Sequence, residues 1–353
     1  MSLPPVHQEL SHQLENSLRS EIDALAKSDR FSGVIRVSSL NTVLFEGAWG
    51  FAHRGWKIEN TPSTLFRTAS VTKIFTAVAI LQLVESGKLG LDDSIHSLVS
   101  LDGSAIPKSV TIRHLITHTS GIADYFPDDE SWPEILNTRP TYTLKSVSDF
   151  ISLFSDLPPV FEPGARYKYC NAGFILLGRV LETVTGQNYF NVVRDKVFRP
   201  AEMPRACSPT LDGIYDGLAE PYEIDKSGTW RKCISQTIPP APDGGMAATA
   251  EEFEQFWRAL LGGKLLREDT LKEMLSPHVP MEPGWHYGFG LYIVESKEEP
   301  KRFEAHGFDA GVNAFIAHYS EHNIQVSVLS NLDDGAVDPY KMVRATISSA
   351  LGF

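Results

Sequence analysis

An apolar segment between residues 71 and 85 constrains the fold of this chain more than any other feature. It consists almost entirely of Leu, Ile, Val, Ala and Phe, with Thr76 and Gln82 as isolated polar members. A helix that is apolar nearly all round has no face suited to solvent, so the pattern predicts a helix that runs through the core. The rest of the chain must then supply packing on every side of it.

The entrance to this helix carries a candidate reactive pair, Ser70 and Lys73. Residues three apart on a helix lie on one face, one turn from each other. Burial disfavours a charged lysine, so the amine can accept a proton from a hydroxyl, and the free N–H groups of the first turn suit a developing oxyanion. The spacing indicates a nucleophile beside its base. Alone it is also compatible with a capping serine and a lysine that reaches solvent.

Composition limits the possible classes of protein. The chain has 353 residues, of which 42% are hydrophobic and 22% are charged, as in a folded soluble protein large enough for two lobes. Its net charge of −12 is spread along the chain without a basic cluster, which argues against a nucleic-acid partner. The three cysteines, Cys170, Cys207 and Cys233, are too far apart for a C-x-x-C metal site or a disulfide framework. We expect no cofactor and no metal.

The N-terminal region bears on localisation. Residues 1–27 are polar and helix-like, with Leu10, Leu14, Leu18 and Ile22 at helical spacing, and they lack the apolar core of a signal peptide. We therefore expect a cytoplasmic protein, or a periplasmic or secreted one if a leader has been removed. No stretch reaches the roughly 18 consecutive apolar residues of a membrane span. The oligomeric state cannot be predicted.

The order of predicted elements indicates an α/β (α+β) protein. Strands are predicted at 31–38 and 42–50, joined by a turn at Leu40 and Asn41, and a short extended piece at 65–67 leads to Ser70. Later elements are helices at 112–117, 144–153, 172–185, 189–197 and 251–261, strands at 287–294, 302–306, 313–319 and 324–330, and a closing helix at 338–351. We expect a sheet domain of residues 1–90 and 240–353, with N- and C-terminal helices covering an antiparallel sheet. A mainly helical domain of residues 91–239 is inserted, and the natural cleft lies between the two.

Two further segments can bring polar groups to such a cleft. Tyr169 and Asn171 follow a Pro-Gly turn and open a predicted helix, so they can present a phenol that carries protons and an amide that binds substrate. His306 and Gly307 end a predicted strand and are followed by Phe308 and Asp309. The end of such a strand can lend a backbone N–H to an oxyanion hole.

These motifs, S-x-x-K, then Y-x-N, then a basic residue with glycine on a late strand, resemble the serine β-lactamase and DD-peptidase superfamily. The resemblance is to the branch with class C β-lactamases, D-alanyl-D-alanine carboxypeptidases and esterases, and it covers nearly the whole chain. Further matching segments are 111–121 (T-I-R-H-L-I-T-H-T-S-G), 161–164 (F-E-P-G), 176–178 (L-L-G), 244–246 (G-G-M) with 249–250 (T-A), and 287–290 (Y-G-F-G). The resemblance implies a β-lactamase/transpeptidase-like fold, an antiparallel sheet flanked by terminal helices plus an all-helical lobe.

The resemblance also implies roles for individual residues. Ser70 would be the acylated nucleophile, Lys73 its proton partner and Tyr169 the second proton carrier. Asn171, His306, Gly307 and Asp309 would contact substrate, and the oxyanion hole would use the N–H groups of Ser70 and about Asp309. The chain has no E-x-x-L-N segment, the source of the carboxylate base in class A enzymes. Deacylation is therefore expected to run through Tyr169 and Lys73.

The chain departs from the family pattern at two positions. The third motif reads His306, Gly307, Phe308, so Phe308 would stand where relatives have glycine, and Asp309 would repel a substrate carboxylate. A histidine side chain is mostly neutral at pH 7. These changes favour esters, amides or small peptides, neutral or amine-bearing, over D-Ala-D-Ala carboxylates. Cys170 replaces a common serine and is interpreted as a buried small residue.

Several alternatives stay open from sequence alone. The chain could be a β-lactamase or D-alanyl-D-alanine carboxypeptidase proper, and β-lactams are possible small-molecule substrates. It could also be a non-catalytic β-lactam-binding or scaffold protein, although the joint presence of Ser70, Lys73 and Tyr169 argues against a silent site. His114 and His118 have the spacing of a two-histidine zinc site, but no Glu follows His114 as in H-E-x-x-H.

Overall fold

The structure is a computed structural model that describes residues 4–39, 42–126, 140–233 and 239–353. Its frame is an eight-stranded sheet. Neighbouring strands are antiparallel in the order β2-β1-β14-β13-β12-β11-β10-β9. Its strands are β1 (Gly33–Ser39), β2 (Thr42–Trp49), β9 (Val279–Pro280), β10 (Trp285–Tyr287), β11 (Tyr292–Val294), β12 (Arg302–Asp309), β13 (Val312–Tyr319) and β14 (Ile324–Ser330). Short pairs join β3 (Phe51–His53) to β4 (Ile58–Glu59), β5 (Phe66–Arg67) to β8 (Ala247–Ala248), and β6 (Tyr222–Ile224) to β7 (Trp230–Lys232).

The terminal helices cover one face of the sheet. Helix α1 (Pro5–Gln13) continues through a π-helical turn (Leu14–Leu18) into α2 (Arg19–Lys27), and the last helix, α11, spans Val337–Leu351. The predicted stripe of Leu10, Leu14, Leu18 and Ile22 is buried and packs in one cluster with side chains of the sheet and of α11. The periodicity of the N-terminal segment therefore predicted both its helix and the face that it buries. The turn predicted at Leu40 and Asn41 lies outside the described residues, but the strands on either side of it pair as expected.

The apolar segment forms the central helix on the other face of the sheet. A 3₁₀ turn (Ala69–Val71) leads into α3 (Thr72–Glu85), and 11 of the 14 residues of α3 are buried. The Phe75 ring contacts the rings of Phe198, Phe253 and Phe256, which come from two other helical segments. This confirms that the segment runs through the core and has neighbours all round.

In the described part of the chain between residues 91 and 205, the regular elements are helices and helical turns joined by loops, apart from an isolated bridge between Ser94 and Thr111. Its helices are α4 (Ile95–Leu98), α5 (Ile112–Ile116), α6 (Val147–Ile151), α7 (Asn171–Thr185) and α8 (Tyr189–Val193), which continues into a π-helical turn (Arg194–Phe198). Two more helices, α9 (Ala250–Leu261) and α10 (Glu268–Met274), follow later in the chain. The β6–β7 hairpin falls inside the range predicted as mainly helical, where short polar strands gave no clear period. The division into two domains stays a prediction.

Two predicted strand boundaries are wrong, and both lie near the cleft. The segment 287–294 was expected to be one strand, but it forms parts of β10 and β11 around a tight turn. The Gly288 N–H donates to the Leu291 carbonyl, and Gly290 has a φ of 79°, a conformation that favours glycine. The strand predicted at 302–306 continues as β12 to Asp309. Because β11 pairs only with Arg302–Glu304, the outer edge of β12 beyond Glu304 has no strand partner in the described residues.

Candidate active site

A cleft of about 520 Å³ opens beside the free edge of β12 and the N-terminal end of α3. Five of the seven residues predicted for the site line it: Ser70, Tyr169, Asn171, His306 and Asp309. Lys73 lies behind Ser70, and Gly307 lies where β12 passes the turn before Ser70. Asp124, Tyr125 and Asp243, which the sequence analysis did not single out, also line the cleft.

The backbone just before Ser70 is held in an uncommon conformation. Ala69 has a φ of 44°, which lies in the left-handed region that residues with a side chain rarely adopt. Its carbonyl accepts a hydrogen bond from the Gly245 N–H, and the Thr68 N–H donates to the Met246 carbonyl. These bonds tie the segment before Ser70 to the short strand pair β5–β8, so Ser70 is held where the helix begins. Such local strain is common at functional sites.

Lys73 makes three contacts that orient its amine. Its Nζ lies 3.0 Å from Ser70 Oγ, 2.8 Å from Asn171 Oδ1 and 2.7 Å from the Asp243 carbonyl oxygen. The Asn171 Nδ2 donates to Asp124 at 3.2 Å, which identifies Oδ1 as the acceptor from lysine. A neutral amine has two N–H groups and one lone pair. If the two hydrogens serve the carbonyl-type acceptors, the lone pair points at the Ser70 hydroxyl.

The surroundings of Lys73 favour a reactive amine. Its side chain is only 2% exposed, and burial lowers the pKa of Lys73 from its usual value to about 8. The carboxylates of Asp243 and Asp124 act in the opposite direction and limit this decrease in the pKa. With a pKa of about 8, roughly a tenth of the lysine is uncharged at pH 7, and this neutral form can act as a general base.

Tyr169 completes the group around the nucleophile. Its phenol interacts with Ser70, which acts to lower the Tyr169 pKa, and its ring centroid lies 4.7 Å from Lys73 Nζ. Burial raises the pKa of Tyr169 well above its usual range, so in the free protein it is a neutral phenol. A phenol that is not ionised can pass a proton on but cannot start the reaction as a base. The geometry therefore favours Lys73 as the group that first accepts the serine proton.

His118, one of the two histidines considered for zinc, supports Tyr169 instead. Its ring lies 4.3 Å from the Tyr169 ring, its Nδ1 accepts from the Cys170 N–H at 3.1 Å, and its Nε2 is 3.1 Å from the Tyr287 hydroxyl. Burial, and secondarily Lys73, lowers the pKa of His118 far below its usual value, so the ring is neutral. His114 instead closes the N-terminal cap of α5 with Thr111. The described residues contain no group of His, Cys, Asp and Glu side chains placed to hold a metal ion.

Asp124 fixes the start of helix α7 beside the cleft. Its carboxylate accepts from the backbone N–H groups of Asn171, at 2.7 Å, and Ala172, at 3.1 Å, in addition to the Asn171 amide. Asn171 is thereby held between Asp124 and Lys73, so both ends of its amide contact protein groups. Cys170 is buried next to it, and burial raises the pKa of its thiol well above the ordinary value, as expected of an inert packing residue.

The side chains of the late-strand motif, residues 306–308 of β12, lie on other faces of the strand than the sequence suggests. A Cβ placed on Gly307 would lie 2.1 Å from the Thr68 carbonyl oxygen and 3.2 Å from the Ala69 Cβ. Gly307 is therefore the glycine that packs against the turn before Ser70, and the expectation that Phe308 replaces this glycine is wrong. Because side chains alternate along a strand, Ala305 shares the Gly307 face and His306 lies on the opposite one. Phe308 is 52% exposed at the rim of the cleft.

His306 is held by a buried carboxylate. Its Nε2 is 2.9 Å from Glu304 Oε1, and its ring stacks on the Tyr292 ring with a centroid distance of 4.8 Å. Glu304 is fully buried and also accepts from Arg302 and Tyr340. Burial would raise the pKa of Glu304, but His306 and Arg302 more than offset this and hold the pKa well below its usual range. His306 therefore lies in the wall of the cleft beside an ionised partner.

Comparison with known proteins relates this site to characterised enzymes. A family model described as Beta-lactamase matches residues 18–350. Penicillin-binding protein 4 of Amycolatopsis lactamdurans is 30% identical over 295 residues, which cover 78% of this chain and 74% of that protein. The crystal structure of a penicillin binding protein from Bacillus halodurans matches with a TM-score of 0.86 at 34% identity, over 92% of this chain and 99% of that chain. A D-stereospecific amidohydrolase from Streptomyces sp. shares the fold, with a TM-score of 0.78 at 23% identity over 96% and 98% of the two chains.

Two further features of the structure concern membrane spans and cysteines. Within the described ranges, no helix combines the length and the apolar character that crossing a membrane requires. Among the described residues no cysteine forms a disulfide bond, and Cys170 and Cys233 are buried.

Proposed function

The chain belongs to the Beta-lactamase family and is a serine hydrolase, and we propose that it acts through an acyl-enzyme on Ser70. Its fold is the β-lactamase/transpeptidase-like fold predicted from the motifs. The observation that carries the proposal is the arrangement around Lys73 Nζ. In the neutral amine, the two N–H groups donate to Asn171 Oδ1 and to the Asp243 carbonyl, and the lone pair is directed at Ser70 Oγ.

In the proposed acylation, neutral Lys73 accepts the Ser70 hydroxyl proton while Oγ attacks the substrate carbonyl carbon. The Ser70 N–H and an N–H from the free edge of β12, at Phe308 or Asp309, stabilise the oxyanion that forms. The bond to the leaving group then breaks, and that group takes its proton from the Tyr169 phenol, which regains a proton from the protonated lysine.

Deacylation is proposed to use the same residues in reverse. A water molecule gives a proton to the Tyr169–Lys73 pair as it attacks the acyl carbonyl carbon, and Ser70 Oγ leaves with a proton from that pair. This scheme requires no carboxylate base of the class A kind. It is supported by the close grouping of Ser70, Lys73 and Tyr169, with Lys73 Nζ 3.0 Å from Ser70 Oγ and 4.7 Å from the centre of the Tyr169 ring.

We propose that the substrates are neutral or amine-bearing esters, amides or small peptides. The described residues that line the cleft include Asp124, Asp243 and Asp309 but no lysine and no arginine. Ala305, which shares the Gly307 face toward Ser70, is buried and carries no charge. Phe308 adds apolar surface at the rim. Lys73 and His306 are basic side chains at this cleft, and the three aspartates outnumber them. The cleft would therefore disfavour a substrate with a free carboxylate.

The test compares kcat/KM for four substrates on one preparation: p-nitrophenyl acetate, a D-alanine amide, nitrocefin and a D-Ala-D-Ala tripeptide. We expect the ester or the amide to be the best substrate. If nitrocefin or the tripeptide is best, the protein is a β-lactamase or carboxypeptidase proper, and the charge argument fails.

The nucleophile is tested separately with a fluorophosphonate and intact-mass measurement. Wild type should gain one label, and Ser70→Ala should fold, as judged by its melting curve, and gain none. A label that persists in Ser70→Ala would locate the nucleophile elsewhere. A wild-type protein that takes up neither label nor penicillin and turns over none of the four substrates would support the scaffold alternative.

A further inference from the structure

The main chain of Asp243 orients the lysine of the proposed mechanism, but its carboxylate has no role in the scheme above. Its main-chain carbonyl accepts a hydrogen bond from Lys73 Nζ at 2.7 Å. Asp243 is only 5% exposed, and the Tyr125 hydroxyl donates a hydrogen bond to its Oδ2. The other carboxylate oxygen, Oδ1, is buried and has no hydrogen-bond partner among the described residues.

A buried carboxylate oxygen without a partner is unfavourable, so it requires a physical reason. Its carboxylate lacks an ion-pair contact within the described residues. Burial raises the pKa of Asp243, and Lys73 is the strongest of the charges that act in the opposite direction and favour the ionised form. Reciprocally, Asp243 is the strongest of the charges that favour the protonated form of Lys73. The pair is therefore coupled through space, while the main-chain bond fixes the distance between the two groups.

The other titratable groups around this pair do not carry a free charge. Burial raises the pKa of Tyr125, Tyr169, Tyr189 and Cys170, which are neutral, and burial lowers the pKa of His118, which is neutral as well. Asp124 is the second carboxylate near Lys73, but its oxygens are used by N–H groups at the start of α7. Of the two carboxylates near Lys73, that of Asp243 therefore accepts fewer hydrogen bonds.

We propose that the Asp243 carboxylate is the fixed counter-charge of Lys73 and so sets the pH range in which Ser70 is acylated. Asp243 is a positioning residue in this proposal, because it acts on the lysine and not on the substrate. Its carbonyl directs one N–H of the amine, and its negative charge balances the proton that the lysine takes from Ser70. The inference rests on the proposed function, since it assumes that Lys73 is the base.

The experiment measures the rate of Ser70 labelling by a fluorophosphonate from pH 5.5 to 10, in wild type, Asp243→Asn and Asp243→Ala. In wild type the rate should rise with pH through a midpoint near 8, where Lys73 loses its proton. Both variants remove the negative charge, so their midpoints should move to lower pH by about one unit or more. At pH 7 each variant should then react at a larger fraction of its own plateau rate than wild type does.

Asp309→Asn is the matched control, because Asp309 is a cleft carboxylate that is not among the charges acting on Lys73. It can change the plateau rate, but its midpoint should equal that of wild type. The alanine variant covers the case in which Asp243→Asn does not fold. A folded Asp243 variant that reacts more slowly at every pH with the wild-type midpoint would overturn the proposal and leave Asp243 a structural role. If wild type is not labelled at all, the proposed function fails instead.

Discussion

Gly307→Ala gives the sharpest test of how the late strand positions the reaction. The new methyl carbon would lie 2.1 Å from the Thr68 carbonyl oxygen, whereas real side-chain carbons essentially never come closer than 3.0 Å, so β12 and the turn before Ser70 must separate by about 0.9 Å. The contact is with backbone on one side and a backbone-bound methyl on the other, so no flexible side chain can absorb it. A displacement of about 1 Å between catalytic groups can lower a rate by about 100-fold. Overpacking of this kind costs about 1–3 kcal/mol of stability.

The assay is again the rate of fluorophosphonate labelling at Ser70, measured together with thermal unfolding. We expect labelling about 100-fold slower than in wild type, and a melting temperature lower by a few degrees. Gly55→Ala is the matched control, because its new Cβ would meet the nearest atom, His53 Cε1, at an ordinary 3.4 Å. It should leave both quantities unchanged. Labelling of Gly307→Ala at the wild-type rate would show that β12 does not contribute to the oxyanion hole.

Two further sets of substitutions test the proton path and the buried ionic network. Lys73→Ala and Tyr169→Phe should each lower kcat for the best substrate by about 10²–10⁴-fold. The double variant should lose less than the product of the two single losses, because both residues act on one proton path. Losses in kcat that multiply would assign the two residues to separate functions. Glu304→Gln removes the charge that faces buried Arg302 and should lower the free energy of unfolding in urea by about 3–5 kcal/mol, whereas Glu15→Gln, in an exposed pair, should cost less than about 1 kcal/mol. A Glu304→Gln protein as stable as wild type would mean that the network adds little to stability.

The elements that could be predicted from sequence are those whose signal is local. The helix over 72–85 and the buried face of the N-terminal helix follow from hydrophobic pattern alone, and both are confirmed. The hairpin of β6 and β7 has three-residue strands that are largely polar, joined by a turn in which Asp225 accepts from the N–H groups of Ser227 and Thr229. Such short strands have too few residues for an alternating pattern to appear.

The chemistry of Ser70, Lys73 and Tyr169 was accessible for a similar reason, since each lies in a short motif. Asp243 and His118 were not accessible, because their roles depend on contacts with residues far away in sequence. Asp243 precedes the Gly244-Gly245-Met246 segment that supported the family resemblance, so its position beside the site could have been suspected. Nothing in the sequence indicates that its carbonyl meets Lys73 or that one carboxylate oxygen lacks a partner.

The register of the late strand changes the reason for the predicted substrate preference. Side chains on a strand alternate between faces, so a shift of one residue moves every side chain to the other face. From sequence, His306 is the natural match to the family's basic residue, and Phe308 then takes the place of the glycine. The close approach of Gly307 to Thr68 instead makes Ala305 the residue on the face toward Ser70. The expectation of weak carboxylate binding therefore no longer depends on the bulk of Phe308. It depends on an uncharged residue at 305, on a histidine held by Glu304 and on three aspartates in the cleft wall, and each of these can be changed separately.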